Sequence, residues 1–148
     1  ARGGLWCWTS PAGQIAILAM FLWLPATGAE TVTIPAGAET LYMSGSGASR
    51  QEDGSYGDTY QQAVSTFNKF KASLEEQGWS MSDIVQVRVF GVAGPEGKID
   101  IENFNRAYQE IFGTEANPQK PVRSVVEVAA MVVDGWLLEI EVRAARVK

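Results

Sequence analysis

The sequence predicts an α+β domain whose elements run in the order β-β-α-β-α-β-β. Three observations carry this. Two segments repeat apolar residues at helical spacing, a strand-like alternation lies between them, and two β-prone runs flank Asp134-Gly135 near the end. Two helices joined by a strand need a sheet face to cover, which gives a two-layer sandwich. A chain of 148 residues supplies one such core rather than two.

Taken in order, residues 31–34 and 40–44 are short β-prone runs split by Pro35-Ala36-Gly37, which reads as a turn. Residues 45–57 are rich in Gly and Ser and read as loop. No Gly-Lys-Ser/Thr follows, so a phosphate cradle is not expected there. Asp58 or Thr59 caps the first helix, with Gln61 or Gln62 reaching back, and Ala63, Phe67, Phe70 and Leu74 form its buried face. Gly78 stops it. Residues 83–90 alternate as a strand, with Val85, Val87 and Val89 to one side and Gln86, Arg88 and Phe90 to the other. Asp100 caps a second helix on which Ile101, Phe104, Tyr108, Ile111 and Phe112 are the buried stripe, ending at Gly113. Two strands follow, about 123–131 and 136–146, and Asp134-Gly135 between them signals a hairpin.

A period of two sorts these last strands. Ser124, Val126 and Val128, with Leu138, Ile140 and Val142, are expected under the helices. Arg123, Val125, Glu127 and Ala129, with Glu139, Glu141 and Arg143, are expected on the opposite face. That face reads either as a solvated surface of weak cross-strand ion pairs or as an oligomer interface with a polar cleft at its edge.

Residues 1–29 differ from the rest: three of five Trp, one charge (Arg2), and an unbroken apolar run over residues 15–24 that Pro25 ends. This is the pattern of a secretory leader with cleavage after Ala29, leaving residues 30–148 as the domain. The product would be periplasmic or secreted if the leader is cleaved and cytoplasmic otherwise. A membrane anchor, a buried helix and a mis-called start are the alternative readings.

Composition narrows the chemistry. A net charge of −5 with scattered Lys and Arg argues against nucleic acid as partner. With no His and one Cys, catalytic His dyads, imidazole metal sites and internal disulfides are excluded.

Five motifs occur in an order that resembles the Rid family (reactive intermediate deaminases, or YjgF-like proteins). They are Leu41-Tyr-Met-Ser44-Gly45, Asp83-Ile-Val-Gln-Val-Arg-Val-Phe90, Phe104-Asn105-x-x-Tyr108-x-x-x-Phe112, Pro121-Val122-Arg123-Ser124-Val125-Val126-Glu127, and Leu138-Glu139-Ile140-Glu141. The resemblance implies a chorismate-mutase-like mixed sheet with two helices on one face. It also implies a homotrimer with clefts between subunits, and hydrolysis of 2-aminoacrylate-type enamines and imines to 2-keto acids and ammonia without cofactor or metal. By position, Arg123 would hold the substrate carboxylate and Glu139 the water. Ser44, Gly45, Asn105 and Val125 would line the cleft. Where the family carries Gly-Pro-Tyr, this chain has Gly28-Ala29-Glu30-Thr31-Val32. A trimeric binder of small carboxylates without turnover is the alternative function. Ribonuclease, an older label of relatives, suits an acidic chain without His poorly.

Overall fold

The computed structural model describes residues 28–147. The leader assigned to residues 1–29 therefore lies outside the described residues except at Gly28 and Ala29. The elements are β1 (Glu39–Ser46), α1 (Thr59–Glu76), a 3-10 turn (Met81–Asp83), β2 (Ile84–Gly91), α2 (Ile101–Gln109), β3 (Val122–Glu127) and β4 (Leu138–Arg146). The strands form one mixed sheet in the order β1-β4-β2-β3. β4 is antiparallel to both its neighbours, while β2 and β3 run parallel.

Local chemistry explains the helices. Asp58 accepts from Gln61 N at 2.8 Å while Gln61 Oε1 accepts from Asp58 N at 3.0 Å, a reciprocal capping box that starts α1. Gly78, at φ +73, ends the turn that follows. Asp100 accepts from Asn103 N at 3.1 Å and opens α2. Ala63, Phe67, Phe70 and Leu74 of α1 meet Phe104 and Tyr108 of α2, and Phe112 just beyond it, over Val87, Val89, Leu138, Ile140, Val142 and Ala144 of the sheet.

Five expectations need correction here, and the first is Ile101, expected in the buried stripe of α2 but exposed at its first turn. Residues 31–34 are not a strand; Val32 and Ile34 are exposed outside the four-stranded sheet. The chain after Tyr108 makes one further turn, Phe112 N donating to Tyr108 O at 3.0 Å, so Phe112 is buried although α2 ends at Gln109. The two final strands do not form a hairpin. β3 pairs in parallel with β2 while β4 inserts between β1 and β2, so residues 128–137 cross from one sheet position to another. Asp134-Gly135 is still a turn, with Gly135 at φ +90, but not one joining paired strands. Finally, the register of β2 shifts between Ile84 and Gln86, so Ile84 rather than Val85 joins Val87 and Val89 in the core.

Candidate active site

Parallel pairing sets Arg123 opposite Val87 and Val125 opposite Val89, both core residues. Arg123 and Val125 therefore face the helices, and Ser124 and Val126 face outward. This reverses the expected sorting of β3. The reason lies in what Arg123 meets there. Its guanidinium carbon is 4.8 Å from the Tyr108 ring centroid and 5.4 Å from that of Phe104, and Nη1 donates to Asn105 Oδ1 at 2.7 Å. Two aromatic faces and an amide acceptor make an inward position favourable for a cation at the sheet edge. Asn105 takes one of the five N–H donors of the fork.

This pocket shifts two titrations. Burial lowers the Arg123 guanidinium from its ordinary value, with the Tyr108 phenol acting against it. Burial pushes the Tyr108 phenol up to about 12, with Arg123 opposing. The Tyr108 hydroxyl is buried without a hydrogen-bond partner. Gly28 and Ala29 close the side of the pocket. Ala29 N donates to Pro121 O at 3.1 Å, and a Cβ at position 28 would lie 3.1 Å from Arg123 Cβ.

A second group forms on the outer face. Glu139 pairs with Phe90 across β2–β4 and lies directly over Gly45, where the carboxylate leaves no room for a side chain. The β1–β4 register breaks between Met43 and Ser46, so Ser44 and Gly45 sit in an irregular stretch of strand. One pleat along β4, Glu141 is bound to Arg88 at 3.5 Å. That pair borders a hollow of about 220 Å³ lined by Tyr42, Ser44, Gln86 and Arg143. Among the described residues, no group of three His, Cys, Asp or Glu is placed to hold a metal ion.

The six residues singled out in the sequence thus fall into two sets. Arg123, Asn105 and Val125 lie on the helix side, and Glu139, Ser44 and Gly45 on the outer side. Arg123 and Glu139 are separated by two strand spacings and by the three-residue step between their β2 partners, Val87 and Phe90. At ~4.8 Å per strand and ~3.3 Å per residue their backbones are roughly 14 Å apart, with the sheet between the side chains. One chain does not bring them onto one small molecule.

Sequence reasoning offered Gln62 only as an alternative to Gln61 in the capping box; it is instead fully buried, with both N–H donors and the carbonyl oxygen of its amide bonded. Its spacing offered a signal: it lies one turn before buried Thr66 and beside buried Ala63.

Comparison with known proteins agrees with this architecture. Residues 31–146 match the family model described as Endoribonuclease L-PSP. A RutC family protein of Pyrococcus abyssi is 35% identical over 85 residues, which is 57% of this chain and 60% of that one. A second, of Pyrococcus horikoshii, is 34% identical over the same shares, so the chain spans about 60% of the length of these curated relatives. Among solved structures, a candidate endoribonuclease of Thermotoga maritima is 25% identical with a TM-score of 0.61, covering 82% of this chain and 94% of its own. A candidate endoribonuclease L-PSP of Entamoeba histolytica is 28% identical with a TM-score of 0.59, over 81% and 94%. A YjgF family member from Mycobacterium tuberculosis shares the fold at 24% identity and a TM-score of 0.56, over 72% and 79%. The match over nearly all the described residues, the four-stranded mixed sheet and the two helices make this chain a member of the L-PSP family, the Rid or YjgF-like proteins.

Proposed function

We propose that the chain is a homotrimeric hydrolase of small imines bearing a carboxylate, with each site shared between two neighbouring chains. The observation that carries this is Arg123, an arginine held half-buried against Phe104 and Tyr108 by Asn105, with most of its fork uncommitted to that partner. A planar fork fixed in this way suits two-pronged binding of a carboxylate. Glu139, over Gly45, is the acid of the other half-site, and assembly brings it to a neighbour's Arg123.

The chemistry needs only these groups and water. Arg123 orients the substrate by its carboxylate. Glu139 takes a proton as the water oxygen bonds to the imine carbon, and returns it to nitrogen. In the resulting carbinolamine the C–N bond breaks, nitrogen leaves as ammonia, and the hydroxyl oxygen gives up its proton to become the keto group. Imine plus water becomes 2-keto acid plus ammonia. RNA cleavage, suggested by the names of relatives, is less well supported, since the chain carries a net charge of −5 and no His.

The test is release of ammonia and keto acid from freshly generated 2-aminoacrylate, measured beside sedimentation. Turnover by a trimer, above the spontaneous rate, is expected. A trimer that binds 2-keto acids without accelerating release would instead be a carboxylate carrier.

A further inference from the structure

We infer that Gln62 is a positioning residue for Glu139, acting through the entry to β4; this rests on the proposed hydrolysis. Gln62 lies on α1, outside the cleft and fully buried. Its Nε2 donates to Gly57 O and to Gly135 O, both at 3.0 Å, and its Oε1 accepts from Leu137 N at 2.8 Å. An amide has two N–H donors and one carbonyl oxygen, so all its polar atoms are engaged. The three partners belong to the two loops that flank the Glu139 half-site: residues 47–58 after β1 and residues 128–137 before β4.

Glu139 is two residues beyond the Leu137 amide that Gln62 holds. On its other side Leu137 O accepts from Val92 N at 3.0 Å, so the two peptide groups flanking the Leu137 Cα are each held. The preceding residue locks the second loop to the first. Trp136 Nε1 donates to Ala48 O at 3.1 Å, and its ring lies against Gly47, where no side chain would fit. Tyr56 meets the Trp136 ring edge-on at 6.4 Å. The loop that follows Gly45 and the entry to the β4 strand that carries Glu139 are therefore both tied to α1. Lys69 Nζ, donating to Gly47 O at 2.9 Å, and Ser65 Oγ, accepting from Ser49 N at 3.1 Å, also tie the first loop to α1, while the buried Gln62 amide bonds both loops at once. Apolar packing alone would hold the loops against α1 without specifying which peptide meets which, whereas three directed bonds do specify it.

The consequence is a selective loss. Gln62→Met has similar length but none of the polar atoms, so β4 can enter shifted while Arg123, on the other face and another strand, keeps its pocket. Displacement of a catalytic group by about 1 Å costs on the order of 100-fold. Gln62→Met should therefore lower kcat by about 10- to 100-fold with KM nearly unchanged and the trimer intact. In a Glu139→Gln background the same substitution should cost little more. Gly135→Ala is the second variant, because at φ +90 a Cβ is strained and would sit 3.0 Å from the Tyr56 ring, disturbing the loop that Gln62 bonds while Gln62 itself is kept. It should shift kcat in the same direction even if Gln62→Met fails to fold.

Hydrogen exchange at the Leu137 amide is read on the same proteins. It should quicken in Gln62→Met relative to β2 amides, whether or not the protein has deaminase activity. Absence of turnover in the unsubstituted protein would therefore overturn the proposed reaction separately from the loop connection. The positioning role is overturned if kcat stays unchanged, if KM rises instead, if the Gln62 and Glu139 effects multiply independently, or if Leu137 exchange does not change.

Discussion

Arg123→Lys retains the charge and removes the fork. In the native pocket Nη1 bonds Asn105 Oδ1 at 2.7 Å while the guanidinium stacks near Tyr108 and Phe104. An ammonium can take the cation–π position or reach Asn105, but it cannot also present two parallel N–H groups to a carboxylate. The loss toward substrate is about one charge-assisted hydrogen bond, roughly 1.5–3 kcal/mol, or ten- to a hundredfold in kcat/KM. The loss toward the fold is smaller. Arg123 is only half-buried and the replacement still covers the rings, so about 1 kcal/mol or less is expected.

The assay compares ammonia release from an imine that bears the carboxylate with release from an uncharged imine of similar size, beside thermal unfolding. Arg123→Lys should depress the first rate ten- to a hundredfold, barely affect the second, and shift the melting temperature by only a few degrees. Equal losses on both substrates would mean that Arg123 acts through structure rather than recognition. Unchanged rates on both would remove the clamp altogether.

Glu139→Gln keeps shape and cannot exchange the proton, so turnover should fall about 10²–10⁴-fold in an intact trimer. Glu141→Gln gives up only the half-exposed pair with Arg88, and should leave turnover per intact site nearly constant. Val126 faces outward and is 46% exposed beside the outer-face residues of β2, so Val126→Glu should prevent formation of the proposed trimer, which sedimentation at micromolar concentration reads directly. Tyr108→Phe removes a buried hydroxyl that lacks a partner and should leave stability equal or up to about 1 kcal/mol higher. Its pH dependence has a definite sign. A phenol near 10 when unfolded and about 12 when folded keeps its proton more tightly in the native state. That stability is fully present below pH 10 and is lost as pH rises to 12. Tyr108→Phe should flatten this alkaline decline in denaturant unfolding, and an identical slope in both proteins would contradict the burial of the phenol.

The helices were legible because each carries its own signals. Asp58 with Gln61, Asp100, and the spacing of Phe67, Phe70 and Leu74 act within a few residues, where sequence is explicit. β4 was legible for the same reason, since Leu138, Ile140 and Val142 are buried as their alternation indicates. β3 was not. Its Val122, Val125 and Val126 allow either face toward the core, and an arginine at the edge is ordinarily read as solvent-facing. What decides the register is the parallel partner β2 and the aromatic pair on α2, both distant in sequence. The hairpin reading failed similarly: Asp134-Gly135 specifies a turn, but not which strands leave it.

The reversal at β3 bears on assembly. Had Arg123 and Glu139 shared a face, a single chain would present a complete cleft and the oligomer would be incidental to the reaction. With the sheet between them, the proposed reaction puts one half-site of each chain on its helix side at the β3 edge and the other on the outer face beside β1. In a closed ring, every subunit meets one neighbour with one surface and the next neighbour with a different surface. Such contacts can place the Arg123 edge of one chain against the Glu139 face of the next, as many times as there are subunits. Exposed Tyr42 and Val126, among the charged residues of the outer face, give that contact apolar area to bury. On this geometry turnover should require assembly. Mixing Arg123→Lys chains with Glu139→Gln chains should then restore activity, because some interfaces of a mixed ring pair a native arginine with a native glutamate.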